Sequence, residues 1–507
     1  MIQARQLLSN VVVSGLQVVV VGVAYFVLYP FLIRVLGDEL FGLWTLVLAT
    51  TTATNLANLG LAGSMVKFVA KHLAREDEAR ARLLVETALL SLAVVLGVVL
   101  LASYPLFVYV LDYLVSSKTP ALVDEAVAVL PYALSSFWLT SMAGVALSSL
   151  EGCHRVDRRG LLTMMAAVLY LGLGIGLTLT DGLMGLALAQ VLQAGALLVA
   201  AWVTLRYTLP GLPFLPFRWS WEAFREMLSY SVNYQVISLA QLLVAPVTSA
   251  LLTRFGGVAL AGYFELANRL VIQVRALIVT AYQAIVPTIA DLHERSPEAV
   301  RGLYHTSLGV LQYLVIPALA LLLLATPYLS ALLVGRYQPD FVLYTSLLLV
   351  GWFINILTNP AYFAYMGIGL LRWNVAGHLL TGGLNALLGL ALGAVVGDAG
   401  VMTALAVALV AGSLVPVVAY HREQRIAWSS IGDKPTAWLL GITLVAAVAA
   451  LGVHQGLATW ALWERGPLVA LVFGLIVLPA LWRHPVRSQV LAWVRAATRP
   501  SPSLTDS

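Results

Sequence analysis

The chain has 507 residues, 60% of them hydrophobic and 10% charged, and its mean hydropathy is +0.90. Soluble domains carry about 25% charged residues, so this composition excludes a soluble enzyme and indicates a polytopic membrane protein. The lone cysteine, Cys153, excludes an internal disulfide and a cysteine-based metal cage, and the +5 formal charge sits in short loops, a distribution that does not suit nucleic acid.

The first apolar run, Asn10 to Ile33, is too long for the core of a secretory leader and no small-x-small cleavage site follows it. It is read as a retained first helix. Runs of spanning length fall at 10–33, 40–66, 83–111, 126–150, 160–180, 182–205, 227–253, 258–290, 303–325, 340–368, 374–396, 399–420, 437–453 and 466–482. The expected fold is an all-α integral membrane protein of 14 transmembrane helices. Two parallel six-helix repeats surround a central cavity, and two helices are added at the C-terminus. The corresponding boundaries are a lobe over 1–206, a cytoplasmic linker over 207–226, a second lobe over 227–420, helices 13 and 14 within 421–484, and a partly disordered tail over 485–507.

The basic residues test this count. With the N-terminus inside, 22 of the 29 Lys and Arg fall in cytoplasmic segments, and five (Arg34, Lys118, Arg254, Arg336 and Arg465) fall outside. That asymmetry places both termini in the cytoplasm. The linker carries Pro210, Pro213 and Pro216, then Trp219 and Trp221, which suits a segment lying at the interface.

Sliding the chain against itself by 220 residues aligns 5–46 with 225–266 without a gap, and eleven of the 42 positions are identical. The informative matches are Arg5/Arg225, Ser9/Ser229, Arg34/Arg254, Gly37/Gly257 and Gly42/Gly262. Six spans per copy keep the same orientation, so the copies are parallel repeats, and in such transporters the substrate site lies between the halves.

Helix eight carries the remaining two arginines, Arg269 and Arg275, together with Glu265, Asn268 and Gln283 within an arc of about 120°. A charge at membrane depth costs roughly 3 kcal/mol on insertion scales, so such residues face a protein interior or a water-filled cavity. Glu265 and Arg269 are one turn apart and can pair, whereas Arg275 has no acidic neighbour on its own helix. A structural ion pair is one reading. The other is a cationic wall for an anionic substrate, because guanidinium forks match phosphate oxygens. Under the 220-residue offset Glu265, Asn268, Arg269 and Arg275 fall opposite Thr45, Leu48, Ala49 and Asn55, so the charges belong to the second half alone.

Uncharged polar side chains line other spans: Asn10, Ser14, Gln17 and Tyr25 on helix one, Thr51, Asn55 and Asn58 on helix two, and Tyr230, Asn233, Gln241 and Thr248 on helix seven. Each one singly reads as glue between helices. Their concentration on the repeat-initial helices shifts Gln17, Asn55, Asn233 and Gln241 toward cavity lining. Helix eleven adds Asn374, His378, Thr381 and Asn385, where a helix–helix hydrogen bond outweighs a proton relay for His378 because no acid lies near it in sequence. There is no P-loop, zinc-type spacing or nucleophile elbow, which excludes ATP-driven transport by this chain alone. No cofactor is indicated.

The stretch Val35-Leu36-Gly37-Asp38-Glu39-Leu40-Phe41-Gly42-Leu43-Trp44 resembles the first outer loop of bacterial polysaccharide flippases. So do Asn58-Leu59-Gly60-Leu61 leading into Lys67-Phe68-Val69-Ala70-Lys71, Glu151-Gly152-Cys153-His154-Arg155, and Gly262-Tyr263-Phe264 with Ala267-Asn268-Arg269. These are the O-antigen and exopolysaccharide flippases, within the superfamily that also holds multidrug antiporters and the lipid II flippase. The resemblance implies an inner-membrane transporter, not an enzyme. Its cargo would be oligosaccharide on an isoprenoid pyrophosphate, flipped from the inner to the outer leaflet by alternating access, with the coupling ion, H+ or Na+, left open. Membrane lipid and polysaccharide polymerase or export machinery are the further partners implied. On this view Arg269 and Arg275 contact the pyrophosphate while Asn55, Asn233, Gln241 and Gln283 contact sugars. A multidrug antiporter of the same fold would want embedded carboxylates, of which Glu265 is the deep one. A polytopic glycosyltransferase would need larger outer loops than these, none of which exceeds about fifteen residues.

Overall fold

The computed structural model describes residues 2–52, 61–73, 75–115, 122–227, 244–283, 289, 297–368 and 370–488. Among these, all regular structure is helical, as lipid requires of any spanning segment that is not a closed barrel. The helices are α1 (Ile2–Thr52), α2 (Leu61–Leu73), α3 (Glu78–Val115), α4 (Val123–Gly152), α5 (Val156–Thr208), α6 (Ala245–Phe255), α7 (Val258–Gln283), α8 (Pro297–Leu333), α9 (Pro339–Gly367), α10 (Arg372–Val396), α11 (Asp398–Glu423), α12 (Lys434–Gly456) and α13 (Leu462–Arg483).

Two of the expected helix pairs are single helical runs broken by a glycine. Span one and the first part of span two, up to Thr52, lie within α1, which kinks where Gly37 takes φ 82. Spans five and six are both within α5, which reverses at Asp181 and Gly182, the latter at φ 58. Only glycine adopts this backbone cheaply, so the helix restarts at once and no separate loop is needed. The Gly185 α-carbon then packs on the Leu177 carbonyl, too close for any side chain. Counting these two helices twice, taking α2 with the expected second span, and assigning α6 and α7 to spans seven and eight gives fourteen spans.

The repeat is visible in the same glycines. Gly257, which breaks α6 from α7, has φ 107 and matches the Gly37 kink. Equivalent helices also start in register: α3 begins at Glu78 and α8 carries Glu298 in its first turn. Within the first half α1 packs against α5, and α4 against α2, α3 and α5. In the second half α9 packs against α7, α8 and α11, and α10 against α11. The halves meet chiefly where α1 crosses α7. The last two helices pair with each other and lean on α8 through Leu324, Ala446, Val469 and Phe473.

The linker is tied to the first half. Glu86, 1% exposed, accepts hydrogen bonds from the Phe217 and Arg218 amides through one carboxylate oxygen, each at 3.1 Å. Trp219 donates to Ser91 at 2.9 Å. Glu226 pairs with Lys71 at 3.0 Å and with Arg80 at 3.4 Å. Arg80 and Arg82 hold this strap, Arg82 by donating to the Pro210 carbonyl at 2.5 Å.

Candidate functional site

The α1–α7 crossing sets the site. Gly42 leaves no room for a Cβ, which would overlap the Val258 carbonyl, and a Cβ on Gly262 would lie 2.9 Å from the Gly42 α-carbon. Backbone thus touches backbone at the end that carries the Gly37 and Gly257 bends. Beside this contact Asp38 forms an ion pair with Arg336, which also donates to the Tyr263 hydroxyl at 3.0 Å. Asp38 lies in the first half and Arg336 and Tyr263 in the second, so this trio links the halves at the expected outer face.

A cavity of about 360 Å³ lies between the halves. Thr45, Leu48 and Ala49 line one side of it and Glu265, Asn268 and Arg269 the other. These are the positions paired by the 220-residue offset, so the repeat axis runs through this chamber. All the charge comes from the second half. Tyr29, Thr51, Ser136, Thr140 and Gln190 add hydroxyl and amide groups from the first half.

Arg269 is fixed from three directions. It donates to Glu265 Oε1 at 3.2 Å and to the Tyr29 hydroxyl at 3.1 Å, and its guanidinium lies 4.5 Å from the Tyr25 ring centre. The expected Glu265–Arg269 pair is therefore present. Tyr25 and Tyr29 stand one turn apart on α1 and pack edge-to-face at 5.3 Å. Arg269 Nε is buried and without a hydrogen-bond partner, so the pairing leaves part of the cation unsatisfied.

Arg269 also ends a second, apolar hollow of about 270 Å³ along the α1–α7 seam. Val19, Val23 and Phe26 on its rim are exposed. One guanidinium therefore stands between an apolar groove and a polar chamber.

Arg275 does not join it. It lines two further cavities of about 260 Å³ each inside the second half, with Asn355, His378, Thr381 and Ser413 common to both. Asn268 lines one of these and also the inter-half chamber. The expectation that both arginines face one ligand thus meets a geometry in which six residues of helix leave them about 120° apart, at the two edges of the polar arc.

Among the other expected site residues, Gln17 packs on Gly160 of α5, in a helix contact rather than a cavity. Asn55, Asn233 and Gln241 lie outside the described residues, as does the Gln283 side chain. The helix α10, the expected eleventh span, behaves as glue. Asn385 exchanges hydrogen bonds with Thr248, and Asn374 donates to the Tyr362 carbonyl. His378 Nε2 lies 3.3 Å from the Tyr362 hydroxyl. Sequence reasoning missed Tyr29, Trp352 and Asn355, since an isolated aromatic or amide in an apolar run carries no periodic signal until the partner helix is known.

Two repeated helical halves with a chamber on their axis and, among the described residues, little mass outside the spans define the class: a two-lobed, all-helical membrane protein. The structure is similar to the lipid II flippase MurJ in an inward closed conformation, with TM-score 0.66, 11% identity, and coverage of 94% of this chain and 100% of that one. It is similar to an inward-facing multidrug resistance transporter of the MATE family, with TM-score 0.64, 17% identity, and coverage of 82% and 94%. A Vibrio cholerae MATE transporter, a VcmN mutant, gives TM-score 0.58 at 15% identity, with coverage of 84% and 98%. These identities speak for the fold alone. The family model for polysaccharide biosynthesis proteins matches residues 7–293. The chain belongs to that family. No curated protein matches it.

Proposed function

We propose that this protein is a flippase that carries isoprenoid-pyrophosphate-linked oligosaccharide from the inner to the outer leaflet of a bacterial inner membrane. Export of a cell-surface polysaccharide, O-antigen or exopolysaccharide, is the process served, and polymerase or export machinery receives the product. Alternating access moves the cargo. The position of Arg269 carries this reading. Its apolar groove suits a polyisoprenoid tail, the guanidinium a pyrophosphate, and the hydroxyl-lined chamber a sugar. Membership of the polysaccharide biosynthesis family supports the same cargo class.

The test replaces Arg269 by Gln and measures flipping of lipid-linked oligosaccharide in proteoliposomes. Transport falls at least tenfold while expression and monodispersity stay normal. Unchanged flipping would overturn the role of Arg269. The second reading, an ion-coupled multidrug antiporter, draws on Glu265 as a deep carboxylate and on the MATE-like fold. It requires cationic-drug export that Glu265→Gln abolishes. The pairing of Glu265 with Arg269 weighs against it, since that carboxylate is already engaged.

A further inference from the structure

Arg275 sits deep in the second half with an incomplete set of partners. Its Nε donates to Asn355 Oδ1 at 3.0 Å, and its guanidinium lies 4.6 Å from the Trp352 ring centre. Asn355 is held in turn, donating to Ser413 Oγ at 2.9 Å. The guanidinium is thus oriented by one nitrogen and one face, and its two terminal nitrogens donate to nothing among the described residues. Among the described residues, no carboxylate lines either of the two cavities it faces.

Two neighbouring donors are also without acceptors. Asn359 is 4% exposed and its Nδ2 has no partner, and Trp352 Nε1 is buried and likewise unpaired. One acceptor is spare, Asn374 Oδ1. The two cavities together therefore hold one fixed positive charge, with an unpaired N–H donor in each and one unpaired acceptor between them. A cation would meet like charge there. A small anion would complete the guanidinium and lower the cost of burying it.

We propose that the second half contains an anion site, distinct from the inter-half chamber, in which Arg275 holds one small singly charged anion, a halide or a carboxylate. At about 260 Å³ each, the two cavities have room for such an ion with several waters, given about 30 Å³ per water. The site stands apart from the cargo reading, because it is defined by binding and not by transport.

The probe is sodium chloride on the purified full-length protein in nanodiscs, followed by the line width of the chloride-35 resonance. Wild type gives saturable broadening that bromide and acetate displace. Arg275→Gln removes it, Arg275→Lys weakens it several-fold, and Arg269→Gln leaves it intact. If Arg275→Gln does not fold, Asn355→Ala serves in its place, freeing the guanidinium without removing its charge and weakening chloride several-fold. Competition by free glucuronate would assign the site to a sugar carboxylate, and its absence to an inorganic co-ion. Broadening that survives in Arg275→Gln, that is lost in Arg269→Gln instead, or that is missing from wild type would overturn the proposal.

Discussion

Gly42 and Gly262, 220 residues apart and equivalent in the internal repeat, pack against each other where α1 crosses α7. A Cβ on Gly262 would lie 2.9 Å from the Gly42 α-carbon, and one on Gly42 would overlap the Val258 carbonyl. A residue and its repeat mate can touch in this way only near the repeat axis. The same axis explains why Thr45, Leu48 and Ala49 face Glu265, Asn268 and Arg269.

The two glycines are not equivalent in cost. At Gly42 the obstacle is a backbone carbonyl on the partner helix, which cannot step aside. At Gly262 it is an α-carbon with slightly more room. Overpacking of a tight core costs about 1–3 kcal/mol. Gly42→Ala is expected to lower the thermal unfolding midpoint in detergent by several degrees, and Gly262→Ala by less. Equal midpoints for both variants and wild type would refute the close packing of the halves.

How much of this was legible in the chain differs by feature. The identity of Gly42 with Gly262 and of Gly37 with Gly257 can be read directly, and so can the Glu265–Arg269 spacing, because each is a match or a distance along one helix. The separation of Arg269 from Arg275 is harder to see. Both fall within the polar arc of α7, and an arc wide enough to hold five residues borders more than one neighbouring helix. Only the positions of α1, α9 and α10 decide which cavity each guanidinium enters. The Asp38–Arg336 link was hidden for the same reason, since nothing in sequence relates residues 298 apart.

Tyr29 is expected to set the pose of Arg269. Tyr29→Phe removes one donor–acceptor pair, worth about 1 kcal/mol net, and keeps the ring and its packing on Phe41. Binding of the proposed lipid-linked cargo should weaken about three- to tenfold in a tryptophan-fluorescence titration. Arg269→Lys keeps the charge but loses the fork, so its defect should exceed that of Tyr29→Phe. Equal affinities for Arg269→Lys and wild type would show that the charge alone suffices.

The Asp38–Arg336–Tyr263 trio joins the halves at the expected outer face and leaves Arg336 more than half exposed. A surface pair of this kind contributes about 0–1 kcal/mol, enough to bias an equilibrium between states without holding one absolutely. In a Cys153→Ser background, a cysteine at Thr45 reports on the chamber. Adding Arg336→Ala should raise its reaction rate with an impermeant maleimide supplied from the outside by a few-fold. No change would mean that the Gly42–Gly262 contact alone closes that end.

Glu226 and Glu86 anchor the linker and respond to different perturbations. Burial by itself would raise the pKa of Glu226. Hydrogen bonds from Lys71 and Arg80 and the nearby His72 outweigh it and hold the carboxyl below its ordinary value of 4.5. A carboxyl depressed by folding adds stability that is complete above the unfolded value and is lost as pH falls through the folded one. Hydrogen exchange at residues 221–227, corrected for intrinsic rates, should therefore stay slow above about pH 4.5 and quicken below it. Glu226→Gln removes that step. Glu86→Leu acts at every pH instead, stranding the Phe217 and Arg218 amides at a cost of about 1–3 kcal/mol. Those two amides should then exchange at least fivefold faster at pH 7. If Glu226→Gln keeps the acid-dependent step, the strap is held by Trp219 and Glu86 and not by the Lys71–Glu226–Arg80 cluster.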